Sequence, residues 1–141
     1  MRRLRGDVAS GLALACLALS VHAQQACGPG DLGCAIFTGE HPLNAHLRDD
    51  SRALPSSTTR CINCHAATPA SASFAPPLTH DALLGETRRR GGPLSHYDAA
   101  AFCRALEDGV DPAGVLLRKA MPRYRLNDAE CAALWRFVTS R

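Results

Sequence analysis

The octapeptide Arg60-Cys61-Ile62-Asn63-Cys64-His65-Ala66-Ala67 carries two cysteines three positions apart and a histidine directly after the second. A Cys-x-x-Cys pair is half of a zinc site, a dithiol redox centre, or an anchor for a covalently bound group. Structural zinc needs four ligands, as a rule in two pairs. No second pair is at hand: Cys103 and Cys131 stand far apart on separate helical patterns, and no His-x-x-x-His occurs. A thioredoxin-type dithiol opens a helix after a strand in a βαβ pattern. No such pattern surrounds Cys61. The third reading uses all three residues, because Cys-x-x-Cys-His is the attachment signal of c-type haem. Two cysteines on one tight turn each form a thioether to a vinyl group, and the next residue offers a neutral imidazole to the iron. Cys61 and Cys64 are thus the candidate thioether anchors of one haem c per chain, with His65 as the proximal iron ligand.

The start of the chain agrees with this reading. Arg2, Arg3 and Arg5 precede an apolar run from Val8 to Val21, and Val21-His22-Ala23 ends it with small residues around a cleavage point. That order marks residues 1–23 as a secretory signal peptide, cleaved after Ala23. The run is too short for the roughly 20 residues of a spanning helix. The expected location is therefore the periplasm, with no membrane span after signal removal. Covalent haem attachment takes place after export, so leader and motif support each other. The formal net charge is +3, and three arginines against Asp7 in the leader account for most of it. A near-neutral mature chain argues against nucleic acid as a partner.

Residues 24–60 read as an N-terminal extension and 61–141 as the haem domain. Cys27-Gly-Pro-Gly-Asp-Leu-Gly-Cys34 has turn composition, and its close cysteine spacing suits a small disulfide loop, two free thiols being the alternative. A short helix is expected near Asn44–Arg52, ended by Pro55, and a loop over Ala66–Ala75. Thr79 caps a helix over His80–Arg90 that Gly91-Gly92-Pro93 stops. Ser95 caps another over Tyr97–Asp108, stopped at Gly109. Asp111-Pro112 opens a helix towards Lys119. Asn127 and Glu130 have capping-box spacing, and Cys131, Leu134, Trp135 and Val138 line one face of the last helix. Phe102, Cys103 and Leu106 make a similar stripe. Arg88-Arg89-Arg90 reads as a solvated helix end. No strand pattern stands out, so the expected class is all-α: short helices and loops wrapped around one covalent haem. Four Phe, one Trp and two Tyr are a thin core for so many loops, and a haem would fill it.

From Cys61 to Arg141 the chain resembles the small class I c-type cytochromes, which are monohaem electron carriers. Cys61-Ile62-Asn63-Cys64-His65 matches their attachment motif. Ala75-Pro76-Pro77-Leu78 resembles the segment whose proline carbonyl accepts a hydrogen bond from the proximal imidazole, a role the resemblance gives to Pro76. Met121-Pro122, followed by Asp128-x-Glu130 and an amphipathic helix, is similar to the distal-ligand loop and last helix. The resemblance implies a small cytochrome c-like fold with Met121 as the sixth ligand. Met121 is the sole thioether once Met1 is removed. In the family an N-terminal helix runs up to the motif and crosses the last helix. Pro55 and the Ser56–Thr59 cluster stand there instead, so either the crossing is lost or residues further upstream carry it. Cys103 and Cys131 are also outside the family pattern. A disulfide between them would tie two helices; otherwise they are two small buried hydrophobes.

The function implied is periplasmic electron transfer by a His/Met-ligated haem, from a dehydrogenase donor to an oxidase or a second cytochrome. Such a protein is a carrier rather than an enzyme, although it can be the cytochrome subunit of an oxidoreductase. Arg123 and Arg125 follow Met121, and Arg123 is the candidate for contact with a haem propionate. Two rival readings remain: a ligand-binding haem protein or enzyme subunit with an open or histidine-ligated distal site, through His41, His46, His80 or His96, and a module without haem.

Overall fold

A computed structural model describes residues 27–66 and 74–141. The leader expected over 1–23 and most of the loop expected over Ala66–Ala75 lie outside these residues. The elements in chain order are α1 (Leu32–Thr38), β1 (Asn44–His46), α2 (Ile62–His65) and α3 (His80–Leu84), then β2 (Thr87–Arg88), β3 (Leu94–Ser95), α4 (Ala99–Asp108), β4 (Arg123–Arg125) and α5 (Asp128–Thr139).

The all-α expectation is corrected. About 35% of the described residues are helical and 11% are strand, in two small antiparallel sheets. β1 pairs with β4, Ala45 opposite Tyr124, and β2 pairs with β3. Strands of two or three residues are too short to show an alternation, and β1–β4 joins segments that no local signal connects. The helix expected near Asn44–Arg52 is replaced by β1 and a turn in which Asp49 has φ 66°.

Two further helix expectations fail for local reasons. The helix capped by Thr79 ends at Leu84, because the next residues enter a hairpin. Arg90 and Gly91 both have positive φ, and Gly92 N–H closes on Arg89 O, which is the primed turn that matches strand twist. Arg89 is not solvated: its guanidinium donates to the carbonyls of Ala82, Leu83, Gly85 and Ser95 and stacks on Tyr97 at 5.0 Å. It thereby satisfies carbonyls that the end of α3 leaves open. The helix expected after Asp111 does not form either. Asp111 Oδ1 accepts from Ala113 N and Val115 N, and Gly114 takes φ 80°. A short carboxylate competing for backbone donors in this way favours a turn over a helix.

α4 and α5 follow the sequence more closely. α4 is capped by Asp98 rather than Ser95, which β3 uses, and ends at Gly109 in the left-handed conformation. α5 has the Asn127/Glu130 capping box, and Cys131, Leu134 and Val138 are buried, with Trp135 against Phe102 at 5.2 Å. The disulfides are Cys27–Cys34 and Cys103–Cys131, with Cα separations of 5.5 and 5.9 Å. The second one joins α4 to α5.

The Cys27–Cys34 segment is not only a turn, because Asp31 caps α1 through Cys34 N. α1 then crosses α5. Gly33 sits at the crossing, where a Cβ would run into Ala133 O and come within 2.6 Å of Phe137 Cβ. Only glycine allows that approach. Phe37 meets Phe137 at 5.4 Å, and the Arg141 guanidinium lies over both rings. Helix α1, well upstream of Pro55, therefore supplies the partner for the last helix.

Glu130 binds across two elements. Its carboxylate accepts from Asn127 N and from His41 Nε2 at 2.8 Å, and these bonds, the backbone one first, hold its pKa below the ordinary value. A depressed carboxyl contributes stability above its unfolded pKa and loses it as pH falls through the folded value. Glu130→Gln keeps an acceptor but not the charge. At pH 7 it should cost about 0.5 kcal/mol, the scale of a part-exposed polar contact. The difference from wild type should close below about pH 4 in urea unfolding followed across pH.

Candidate haem-attachment site

The motif forms a single helical turn. Cys64 N and His65 N both donate to Cys61 O, at 3.2 and 2.9 Å. Asn63 Nδ2 donates to Ser57 O at 2.9 Å and anchors the turn to the preceding Ser/Thr cluster. Cys61 is 7% exposed and Cys64 half-buried, and neither joins a disulfide. Burial pushes the Cys61 thiol up to about 12, so it stays protonated at neutral pH.

His65 has two unequal nitrogens. Nδ1 lies 2.7 Å from Pro76 O. A carbonyl only accepts, so Nδ1 carries the proton and Nε2 carries the lone pair. Nε2 is buried and has no hydrogen-bond partner, the only ring nitrogen in that state among the described residues. Burial first, opposed by the Pro76 bond, lowers the His65 pKa, which keeps the imidazole neutral. The other described histidines are engaged: His41 with Glu130, His46 with Leu47 O, His80 with Asp81 and His96 with Glu86.

Met121 is half-buried against the core, in a turn closed by its N–H on Arg118 O at 3.0 Å. β4 follows directly. Within β4, Tyr124 faces the core, whereas Arg123 and Arg125 take the opposite face. Arg123 lies across the end of α4, its Nε 3.1 Å from where a Gly109 Cβ would stand. A cation there suits the helix dipole. Arg125 is exposed.

Sequence reading missed Tyr124. Its hydroxyl donates to Thr59 O at 2.9 Å. The bond joins the strand after Met121 to the residues just before Cys61. A buried tyrosine usually finds an acceptor for its O–H, but nothing local says that the acceptor lies 65 residues away.

Two thiols and a neutral imidazole on one turn, with the ring oriented by one nitrogen and the other left as an orphaned lone pair, fit a covalently held haem. The orphaned Nε2 is the feature that fits best, because a buried polar atom without a partner costs stability unless something else binds it. No group of three or more His, Cys, Asp or Glu suited to a bare metal ion occurs among the described residues.

Comparison with known proteins is sparse. No family model matches the chain, and no solved structure does. A subunit of nitric oxide reductase from Cereibacter sphaeroides is 36% identical over 78 residues, which is 55% of this chain and 49% of that protein. The chain thus spans about half the length of the curated relative it resembles.

Proposed function

We propose that this protein is a periplasmic electron-transfer protein carrying one covalent haem c, held by Cys61 and Cys64, with His65 as the proximal and Met121 as the distal iron ligand. The observation that carries this reading is the state of His65: Nδ1 donated to Pro76 O, and Nε2 buried with its lone pair unused. Bound haem iron would supply a one-electron Fe(III)/Fe(II) couple. The chain's own residues set the conditions for it. Pro76 fixes the imidazole ring and, by drawing on its N–H, makes Nε2 a better donor. Burial keeps that ring neutral. The Met121 thioether, a soft neutral ligand, favours the reduced state and raises the potential. Arg123 is the candidate for holding a propionate.

The likeness to part of nitric oxide reductase favours work as the electron-carrying subunit of an oxidoreductase over work as a free shuttle. The partners would then be a protein donor such as a dehydrogenase and an acceptor such as an oxidase or a second cytochrome. Among the described residues no helix is long and apolar enough to cross a membrane.

Mass spectrometry of the exported protein tests the reading. The mature chain should carry the mass of one haem, retained after denaturation and reduction. Its oxidised spectrum should show the weak methionine–iron charge-transfer band, absent in Met121→Ala. A mass without the increment rejects the reading. A high-spin spectrum with ready carbon monoxide binding replaces the carrier with an open-site haem protein.

A further inference from the structure

We propose that Tyr124 is a positioning residue that holds the Met121 loop at a fixed distance from the Cys61–His65 turn, and so keeps Met121 on the iron. The proposal rests on the haem reading above and adds a residue that neither the motif nor the ligand set contains.

The two faces of the site come from distant parts of the chain. His65 lies on α2, and Met121 lies in the turn that leads into β4. No sequence-local element joins them, and a thioether is a weak, neutral ligand. Whether Met121 stays bound depends on how firmly its loop is held opposite the motif. Two sets of bonds do the holding. β4 pairs with β1, with Ala45 opposite Tyr124. The Tyr124 hydroxyl then bridges to Thr59 O, two residues before Cys61. Tyr124 is 5% exposed, so water does not compete for the bond.

The surroundings of the phenol support this placement. Burial, with the Cys61 and Cys64 sulfurs as further causes, holds its pKa above the ordinary tyrosine value. It therefore remains a donor throughout the working range. A ring that touches the anchor side and a backbone that belongs to the ligand loop make one rigid strut. Because Tyr124 is three residues past Met121, little slack separates the strut from the thioether.

Tyr124→Phe keeps the ring and removes the strut's one hydrogen bond. The probe is added imidazole, which must displace Met121 to bind ferric iron. In the haem-loaded protein, Tyr124→Phe should carry the full haem mass and bind imidazole about tenfold more tightly than wild type, a shift worth about 1.4 kcal/mol. The methionine–iron band should vanish at lower urea than the helical signal. Phe37→Leu, on α1 against Phe137, serves as the control: it should lower the urea midpoint and leave imidazole affinity within about twofold of wild type. If Tyr124→Phe only lowers the urea midpoint, as Phe37→Leu does, Tyr124 is a core residue and the proposal fails. A full haem mass with no methionine–iron band in wild type also overturns it. A wild-type mass lacking haem overturns the haem reading itself, and the two failures are told apart by that first measurement.

Discussion

Cys61→Ala/Cys64→Ala should leave the exported protein without covalent haem and largely unfolded, although it removes only two sulfur atoms. The magnitudes make this a sharp test. In an ordinary core, trimming one buried cysteine to alanine removes less than a large-to-small change such as Leu→Ala, so about 1 kcal/mol is expected for Cys61 and less for half-buried Cys64. A domain of this size has a stability of about 5–15 kcal/mol and survives such a loss. If the haem is part of the core, the variant also loses a large apolar body that a chain with few aromatic residues cannot replace. It leaves His65 Nε2 buried and unused as well. The measurement is the far-ultraviolet and near-ultraviolet circular dichroism of the exported variant, beside its mass. A double variant that is folded like wild type, with only a small fall in urea midpoint, would show that Cys61 and Cys64 are ordinary core cysteines.

The second large effect is expected from Cys103→Ala/Cys131→Ala. The bridge closes a separation of 28 residues and joins α4 to α5. Chain entropy alone then predicts a loss of about 3–4 kcal/mol at 25 °C. The Cys27–Cys34 bridge closes a separation of only 7 residues, and the same relation gives about 2–3 kcal/mol for it. The 103–131 variant should therefore melt at least about 10 °C below wild type, and further below than Cys27→Ala/Cys34→Ala. Equal shifts, or the reverse order, would mean that local anchoring of α1 matters more than loop closure. Haem content should be unchanged in both variants, because neither pair contributes to the anchor turn.

What the sequence made legible was chemistry held within one turn, local helix signals and the two cysteine pairs that form disulfides. Cys61, Cys64 and His65 are adjacent, so their shared turn follows from spacing alone. The Asn127/Glu130 box and the Cys131–Leu134–Val138 face are likewise local, and the helix they define is present. Strand pairings between remote segments left no such trace. Three residues at 44–46 and three at 123–125 do not show a period, which is why the strands were missed and the chain read as all-α. The role of Arg89 was hidden for a related reason: an arginine triplet at a presumed helix end looks solvated, and only the hairpin brings five carbonyls, that of Thr87 among them, to one of its members. Asp111 misled in the other direction. Asp-Pro is a good helix opening, but its carboxylate found Ala113 and Val115 first, and Gly114 closed the turn.

The pairing of β1 with β4 bears on the order of events in assembly. It joins residues about 80 positions apart, and contacts of such long range close late, because the entropy of the intervening chain opposes them. In the finished protein Cys61 is 7% exposed and its neighbour Thr59 is bonded to Tyr124 of β4. A machinery that forms thioethers must reach that sulfur. On the haem reading, attachment therefore belongs to the interval before β4 docks on β1, and the sheet acts as the latch that closes once the cofactor is in place.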